Sequence, residues 1–466
     1  MNPQQELREQ TATSSPGRSP CPAASTLVAL IVLTCAPLWA AGGRPALAEE
    51  PAGADRLAWF REARFGIMIT WGLHALPAGR WQGKEVKGLG EWIQARAKIP
   101  VAEYERLAAR FNPTAFDATA WSKVIRGSGA RYVCPMAKHH DGFALFRSAA
   151  SSFNVVDATP FGRDIIAELA AAARAEGLTF CFYYSQIRDW HEPDAQGNTW
   201  DWPGQRDYAP YLQRKALPQL RELLTGYGPI GMIWFDTPEG LKKEQAQDIV
   251  RLVRELQPDC LLNGRLMPER RACDYATTPD CRVPGKPMAG PWEVPMTIRK
   301  GTWGYKEGTR LRTLDDLLFI LVDVVSKGGN LLLNIGPQGD GSIPAEEVEL
   351  LAGIGAWLGI NGEAIYDADR SPFGHEFAGK SRDWRCTRKG DRLYLHLFTW
   401  PEGGRFVLDG ALPRPATAVA VLTGDGEQLM TFTQEDGNLR IDLPTRPAAR
   451  APTVVAVDLV GDRAAP

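Results

Sequence analysis

Two apolar segments of this 466-residue chain end in residues that can bind polar ligands or transfer protons. The tetrad Lys138-His139-His140-Asp141 follows the apolar run 131–136, and Asp236 follows the run 231–235. Adjacent residues of a strand point to opposite sides, so at least one His of the pair is expected to face whatever lies above the strand end. Two strands that end in this way predict a site at one edge of a parallel sheet.

A carboxylate at the end of a barrel strand, such as Asp236, suits a nucleophile or a general base. The same residue type also commonly caps a loop or helix, and the motif alone leaves both interpretations open. No Cys/His spacing is typical of a zinc site, and no Gly-x-Gly-x-x-Gly follows a predicted strand. We therefore expect no metal or organic cofactor.

Strand-like and helix-like segments alternate from about residue 55 to 365. The predicted strands are 65–70, 131–136, 178–184, 230–235, 260–263 and 331–335, and the predicted helices are 101–111, 164–176 and 314–326. Alternation over some 300 residues favours a (β/α)8-type barrel over a doubly wound sheet. Six strands rather than eight indicate an irregular barrel.

Short alternating runs separated by turn residues follow from about residue 367. The predicted strands of this region are 392–398, 405–408, 417–422, 439–443 and 453–459, with a loop at 444–452. They indicate a C-terminal antiparallel β-sandwich. The predicted organisation is a signal peptide at 1–48, a catalytic barrel at 49–366 and the sandwich at 367–466.

The first residues have the features of a secretory signal. Arg8 and Arg18 precede an apolar stretch at 27–36, and Ala46-Leu47-Ala48 is a small-x-small cleavage site. The stretch is too short to span a bilayer, so we expect an exported protein, periplasmic or extracellular. In an oxidising compartment Cys273 and Cys281 are close enough in sequence to form a disulfide, although separate thiols remain an alternative.

Balanced charge, with a formal net value of −2 and no long basic run, argues against nucleic acid or an anionic membrane as the main partner. The oligomeric state is not readable from the sequence. Fifteen Trp residues are compatible with sugar stacking, and equally with a large core.

Between about residues 57 and 366 the chain resembles the glycoside hydrolase family 29 α-L-fucosidases. The motifs that carry the resemblance occur in the family's order: 65–72, Gly90-Glu91-Trp92, 138–143, Tyr183-Tyr184-Ser185, Asp189-Trp190-His191, Trp234-Phe235-Asp236, Asn263-Gly264-Arg265, Trp292-Glu293, 302–305 and 325–337. The resemblance implies an irregular (β/α) barrel with a C-terminal β-sandwich, in agreement with the predicted elements. It also implies a hydrolase that removes terminal α-L-fucosyl residues from fucosylated oligosaccharides or glycoconjugates.

The resemblance implies a retaining mechanism, which needs two carboxyl groups about 5–5.5 Å apart. Asp236 matches the family nucleophile. Asp280 lies where the family usually has its acid/base, and Glu293, 13 residues further on, is the rival for that role.

Further residues match family positions around the sugar, where His and Glu side chains suit hydroxyl groups that both donate and accept hydrogen bonds. These expected substrate-binding residues are Glu91, Trp92, His139, His140, Tyr183 and Arg265.

Thr70 departs from the family pattern, which commonly has His immediately before the Trp-Gly pair. His74 lies four residues on, and we expect it to supply the missing sugar contact from another direction. The departure leaves open two alternatives: a retaining glycosidase for a related sugar such as an α-L-galactoside, or a catalytically weakened fucose-binding protein.

Overall fold

The structure is a computed structural model that describes residues 55–204, 206–267, 273–378, 381–410, 412–435, 437–444 and 452–461. The predicted signal peptide at 1–48 and most of the predicted loop at 444–452 lie outside these residues. The boundaries predicted at residues 49 and 367 stay predictions.

A parallel sheet forms the first and larger part of the described chain. The strands of this part are β1 (Phe65–Ile69), β2 (Arg80–Trp81), β3 (Lys84–Glu85), β4 (Tyr132–Lys138), β5 (Thr179–Phe180), β6 (Phe182–Tyr184), β7 (Met232–Phe235), β8 (Leu261–Leu262), β9 (Ala276–Thr277), β10 (Trp292–Thr297) and β11 (Asn330–Ile335), of which β2 and β3 form a separate hairpin. The other strands are joined in the order β8-β7-β6-β4-β1-β11-β10-β9, and β5 pairs with β4 on the same side as β6. The parallel sheet therefore has eight positions.

The two edge strands of the parallel sheet, β8 and β9, are not joined by a continuous ladder in the described residues. Their connection is a single parallel bridge between Asn263 and Tyr275, together with a 2.9 Å hydrogen bond from Asp274 N to Leu262 O. The sheet is thus half-barrel-like. This confirms the expectation of an irregular barrel.

Helices cover the outer face of the parallel sheet. Two of the predicted helices begin at side-chain caps: Asp164 accepts a hydrogen bond from Ala167 N, and Thr313 accepts one from Asp316 N. The predicted helix at 101–111 is instead one α-turn followed by a 3-10 helix at Glu105–Arg110. The helices are α1 (Ala58–Ala63), α2 (Ile93–Ala97), α3 (Val101–Tyr104), α4 (Ala118–Gly127), α5 (Ile165–Ala175), α6 (Ala209–Tyr211), α7 (Leu217–Gly226), α8 (Lys243–Leu256), α9 (Leu314–Ser326) and α10 (Ala345–Asn361), with a π-turn at Leu212–Ala216 between α6 and α7.

Alternation along the strands separates two apolar clusters. In β7, Ile233 and Phe235 pack toward the helices, whereas Met232 and Trp234 pack inside the half-barrel. With a period of two, the next residue on the inner side is Asp236. The same alternation in β10 sends Val294 to the helix side and Glu293 to the interior.

Two antiparallel sheets form the C-terminal part, as the sequence predicted. Their strands are β12 (Asp369–Arg370), β13 (Trp384–Lys389), β14 (Arg392–Leu397), β15 (Arg405–Leu408), β16 (Ala416–Thr423), β17 (Gly426–Leu429), β18 (Phe432–Glu435), β19 (Asn438–Asp442) and β20 (Thr453–Leu459). One sheet has the order β12-β13-β14-β20-β16-β17, and the other has the order β15-β19-β18. The inner faces of both sheets share one apolar cluster.

Within the described part of the chain, no helix combines the length and apolar character that a bilayer crossing requires.

Candidate active site

A cavity of about 440 Å³ opens at the carboxyl end of the parallel strands. It is lined by most of the residues that the sequence singled out, together with several that it did not. The predicted residues in the lining are Glu91, Trp92, His139, His140, Tyr183, Asp236, Arg265 and Asp280. Glu293 and His74 are not in this lining.

Asp236 lines the cavity, with 17% of its side chain exposed. Its Oδ1 atom is 3.1 Å from Arg265 Nη1, and its Oδ2 atom accepts a 2.9 Å hydrogen bond from the Tyr183 hydroxyl. Burial raises the pKa of Asp236, and the positive charge of Arg265 opposes that shift. Both contacts favour the ionised carboxylate that a nucleophile requires.

Arg265 joins the two carboxylates of the cavity. Its Nη1 atom contacts Asp236, and its Nη2 atom is 2.5 Å from Asp280 Oδ1 and 2.9 Å from Thr278 O. The guanidinium group also lies 4.7 Å from the centre of the Trp234 ring, where the ring face favours a cation. Because the two contacted nitrogens belong to one planar group, the carboxyl groups of Asp236 and Asp280 are neighbours.

Glu293 is enclosed behind the cavity wall. Its side chain is fully buried, and it accepts hydrogen bonds of 2.7 Å from the Tyr132 hydroxyl and 2.9 Å from Trp234 Nε1. Burial raises the pKa of Glu293 to about 7, which by itself would suit a general acid. The position does not suit one, because Trp234 stands between this carboxyl group and the cavity.

The two adjacent His residues both reach the cavity, at the end of β4. His140 Nδ1 lies 2.7 Å from Ser185 Oγ, and its Nε2 atom lies 3.7 Å from Asp236 Oδ2. The His139 ring packs 4.1 Å from that of His140 and 5.7 Å from that of Tyr183. Burial lowers the pKa of both His side chains well below the usual range, so both are neutral near pH 7.

Glu91 is anchored at the inner end of the cavity by one of its two oxygens. Its Oε2 atom accepts hydrogen bonds from Trp303 N at 3.1 Å and Gly304 N at 3.0 Å, and from Thr302 Oγ1 at 3.2 Å. The other oxygen, Oε1, is buried and has no hydrogen-bond partner among the described residues. Burial raises the pKa of Glu91. An unpaired acceptor beside a cavity can accept a hydrogen bond from a hydroxyl group.

Thr70 and His74 are buried and lie outside the cavity lining. Thr70 Oγ1 donates a 2.5 Å hydrogen bond to Asn334 Oδ1 and is fully buried. His74 is also fully buried, and neither of its ring nitrogens has a hydrogen-bond partner among the described residues. Its ring lies 6.0 Å from that of His139. His74 therefore adjoins a cavity residue without lining the cavity itself.

A buried network of charged residues adjoins the His pair. Lys138 Nζ donates to Ser185 O at 2.8 Å and lies 3.3 Å from Asp189 Oδ2, which is also 3.0 Å from Lys215 Nζ. Gly142 fits against Asp189 with φ 79°, and a Cβ at this position would overlap the Asp189 carboxylate. These contacts of Lys138 and Gly142 fix the position of the two His residues between them.

Several residues of the cavity lining are not among those predicted from the sequence. Thr237 and Glu239 follow Asp236 in the same loop, and Thr277 and Thr278 precede Asp280. Their closeness in sequence to Asp236 and Asp280 is the feature from which these lining residues could have been predicted.

The described residues contain no group of three or more His, Cys, Asp or Glu side chains that could hold a metal ion. Nor do they contain a disulfide between Cys273 and Cys281; Cys281 Sγ lies 3.6 Å from Thr297 Oγ1.

Comparison with known proteins identifies the family. Residues 48–363 match the α-L-fucosidase family model. The chain is 31% identical over 412 residues to the plasma α-L-fucosidase of Rattus norvegicus, covering 83% of this chain and 87% of that protein.

Two solved structures share the fold over nearly the whole described chain. α-L-Fucosidase isoenzyme 1 from Paenibacillus thiaminolyticus is 34% identical with a TM-score of 0.77, covering 87% of this chain and 98% of that one. A family 29 α-L-fucosidase from Bacteroides thetaiotaomicron, described as a trapped covalent intermediate with 2-fluoro-fucosyl fluoride in a glutamate-to-glutamine mutant, is 29% identical with a TM-score of 0.78, covering 88% and 97%. The chain therefore belongs to the α-L-fucosidases of glycoside hydrolase family 29, and it is a glycoside hydrolase.

Proposed function

We propose that this α-L-fucosidase removes terminal α-L-fucosyl residues by a retaining double displacement, with Asp236 as nucleophile and Asp280 as acid/base. The observation that carries the proposal is the contact of both carboxylates with the single guanidinium group of Arg265 inside the cavity. A retaining hydrolase needs two carboxyl groups this close, whereas an inverting one must leave room for a water molecule between them.

The exposed fractions of the cavity residues indicate how a substrate would be oriented. Glu91 and His140 are each 1% exposed and form the inner end, while the side chains of Asp280 and Glu239 are 50% and 69% exposed and form the mouth. Asp236 lies between them. A terminal sugar enters the inner end, its anomeric carbon lies beside Asp236, and the leaving group extends through the mouth.

In the first step, Asp236 attacks the anomeric carbon and forms a glycosyl ester as the glycosidic bond breaks. Asp280 gives its proton to the departing oxygen, which leaves as an alcohol. In the second step, Asp280 removes a proton from water, and the water oxygen displaces Asp236 from the anomeric carbon. Two inversions leave the product with the configuration of the substrate. The trapped covalent intermediate of the Bacteroides relative supports this route.

Asp280 fits the acid/base role better than Glu293 because it lies at the mouth, where the leaving group departs. To act, Asp280 must exchange its ion pair with Arg265 for a hydrogen bond to the glycosidic oxygen. Glu293 is fully buried and already bonded to Tyr132 and Trp234. The α-L-galactoside and binding-protein alternatives are not favoured by the family membership.

The proposal is tested with 4-nitrophenyl α-L-fucoside. We expect turnover by the unaltered protein, loss of turnover in Asp236→Ala, and α-L-fucose as the first anomer seen by NMR. Treatment with 2-deoxy-2-fluoro-fucosyl fluoride should add one fluorofucosyl group to the peptide that contains Asp236. Release of β-L-fucose first, or labelling of another carboxylate, would contradict the mechanism.

Azide distinguishes the two acid/base candidates. With an activated aryl fucoside, the first step of Asp280→Ala needs little acid help, and azide can replace the missing base in the second step. We expect azide to restore turnover of Asp280→Ala and to yield an azide adduct. No such rescue is expected for Glu293→Ala, and rescue of that variant alone would reverse the assignment.

We also propose that the protein is exported after removal of residues 1–48 and that its natural substrates are fucosylated oligosaccharides or glycoconjugates. The positively charged and apolar segments before Ala46-Leu47-Ala48 support the first point. N-terminal sequencing of the protein recovered outside the cytoplasm should begin near Glu49. A cytoplasmic product with an intact N-terminus would be the opposite result.

A further inference from the structure

Both proposed catalytic carboxylates are followed directly by a residue in a strained backbone conformation. Thr237, after Asp236, has φ 51°, and Cys281, after Asp280, has φ 54°. The described residues include seven non-glycine positions with positive φ, so two of the seven adjoin these two carboxylates. A β-branched residue such as Thr237 is especially unfavourable in this region, which glycine adopts readily.

Thr237 is doubly unfavourable for the fold. Besides its backbone conformation, its Oγ1 atom is buried and has no hydrogen-bond partner among the described residues. A glycine at this position would remove both penalties. Strained residues of this kind persist mainly where they serve a site.

Thr237 belongs to the part of the cavity lining that leads from Asp236 to the mouth. Thr237, Pro238 and Glu239 are three consecutive lining residues after Asp236, and the exposed fraction of the side chain rises from 17% at Asp236 to 69% at Glu239. Pro279 and Asp280 line the same cavity. The leaving group attached to a sugar at Asp236 must therefore pass these two short segments.

We propose that Thr237 is a specificity-determining residue whose bulk forms one wall of the leaving-group site and disfavours leaving groups branched next to the glycosidic oxygen. This inference rests on the proposed function, because it uses the orientation of the substrate assigned there. The chemical class admitted is a compact or unbranched alcohol, such as an aryl group or a sugar hydroxyl without a neighbouring substituent.

The test compares Thr237→Gly with Thr237→Val. Valine keeps the size and the β-branch but lacks the hydroxyl group, whereas glycine opens the wall. The measured quantity is the ratio of kcat/KM for two fucosyl disaccharides that differ only in a second sugar on the neighbouring hydroxyl of the acceptor. We expect Thr237→Gly to raise the ratio of branched to unbranched substrate by about fivefold or more, in line with the discrimination that one or two carbon atoms provide. Thr237→Val should leave this ratio near that of the unaltered protein.

Lys98→Gly controls for strain relief alone, since Lys98 has φ 50° but is an exposed helix-end residue outside the cavity lining. Both glycine variants should raise Tm, by about 2 °C each, and only Thr237→Gly should change the ratio. A ratio unchanged in Thr237→Gly, or changed equally by Thr237→Val, would overturn the inference. Absence of fucoside hydrolysis in the unaltered protein would instead be a failure of the proposed function.

Discussion

The indole N–H of Trp234 donates a 2.9 Å hydrogen bond to Glu293 Oε2, which ties a wall of the cavity to a carboxyl group buried behind it. Trp234 in turn stacks on Tyr183, with ring centres 5.7 Å apart, and lies under Arg265. Both of these residues contact Asp236. Glu293 is thus connected to Asp236, the proposed nucleophile, through the residues of the cavity wall rather than through the cavity.

Glu293 should make the fold less stable as the pH rises from about 4.5 to about 7. Burial raises its pKa from 4.5 to about 7, so the folded state holds a proton over that interval and the unfolded state does not. At about 1.4 kcal/mol per pKa unit, the largest possible loss is about 3 kcal/mol. Glu293→Gln cannot titrate, so its free energy of unfolding should fall less between pH 4.5 and 7 than that of the unaltered protein. Urea unfolding at a series of pH values measures this, and identical pH profiles would refute it.

Replacement of Arg265 should move the acidic limb of the pH–activity profile upward. Burial raises the pKa of Asp236 and Arg265 lowers it, so Arg265→Met should raise that pKa further and require a higher pH for the ionised nucleophile. We expect kcat/KM to fall by about 10² or more, as when one charge-stabilising donor is removed. Arg265→Lys is the charge-keeping control, and its acidic limb should move less. An unmoved limb in Arg265→Met would contradict this assignment.

Gly142→Ala should destabilise the fold and displace the His pair. The new Cβ would overlap the Asp189 carboxylate, and position 142 has φ 79°. The expected loss is about 3 kcal/mol, typical of overpacking combined with an incompatible backbone. Gly162→Ala is the matched control, because Gly162 also has positive φ, 62°, but no atom lies within 4 Å of the added Cβ. It should lose only about 1 kcal/mol. Equal losses in thermal unfolding would show that the contact with Asp189 has no special role.

His74 should lower the free energy of unfolding of the protein at acidic pH. Burial lowers its pKa from 6.5 to about 4, so the unfolded state binds more protons than the folded state over that interval. Stability from this group is therefore lost as the pH falls from about 6.5 to about 4. His74→Leu should lose less stability over that range. It should also change KM for an aryl fucoside by less than about threefold, because His74 lies outside the cavity lining. A much larger change in KM would instead support the direct contact between His74 and the sugar that was expected from the sequence.

The predicted strands that were found share a clear apolar pattern, and the missed ones lack it. The strand β10 was missed because Glu293 and Pro295 interrupt its apolar residues, and Pro is unusual inside a sheet. The strand β9 has only two residues. In the C-terminal part, all four residues of β17 are exposed, so no alternation signals it.

The sequence by itself determined the β/α order, the antiparallel C-terminal part and the motifs at which the site lies. These follow from local patterns: apolar runs of strand length, helix-like segments between them, and ionisable residues at strand ends. The resemblance added roles to Asp236 and to the two acid/base candidates.

Only the tertiary structure decided which of those candidates reaches the cavity. Asp280 and Glu293 are 13 residues apart in the chain, and both are acidic. The register of β10 against its neighbours sends Glu293 into the closed interior behind Trp234, while the loop after β9 brings Asp280 to Arg265 at the mouth. The positive φ of Thr237 and the burial of His74 are likewise set by surrounding packing. Such features depend on contacts between residues far apart in the chain, which no local pattern records.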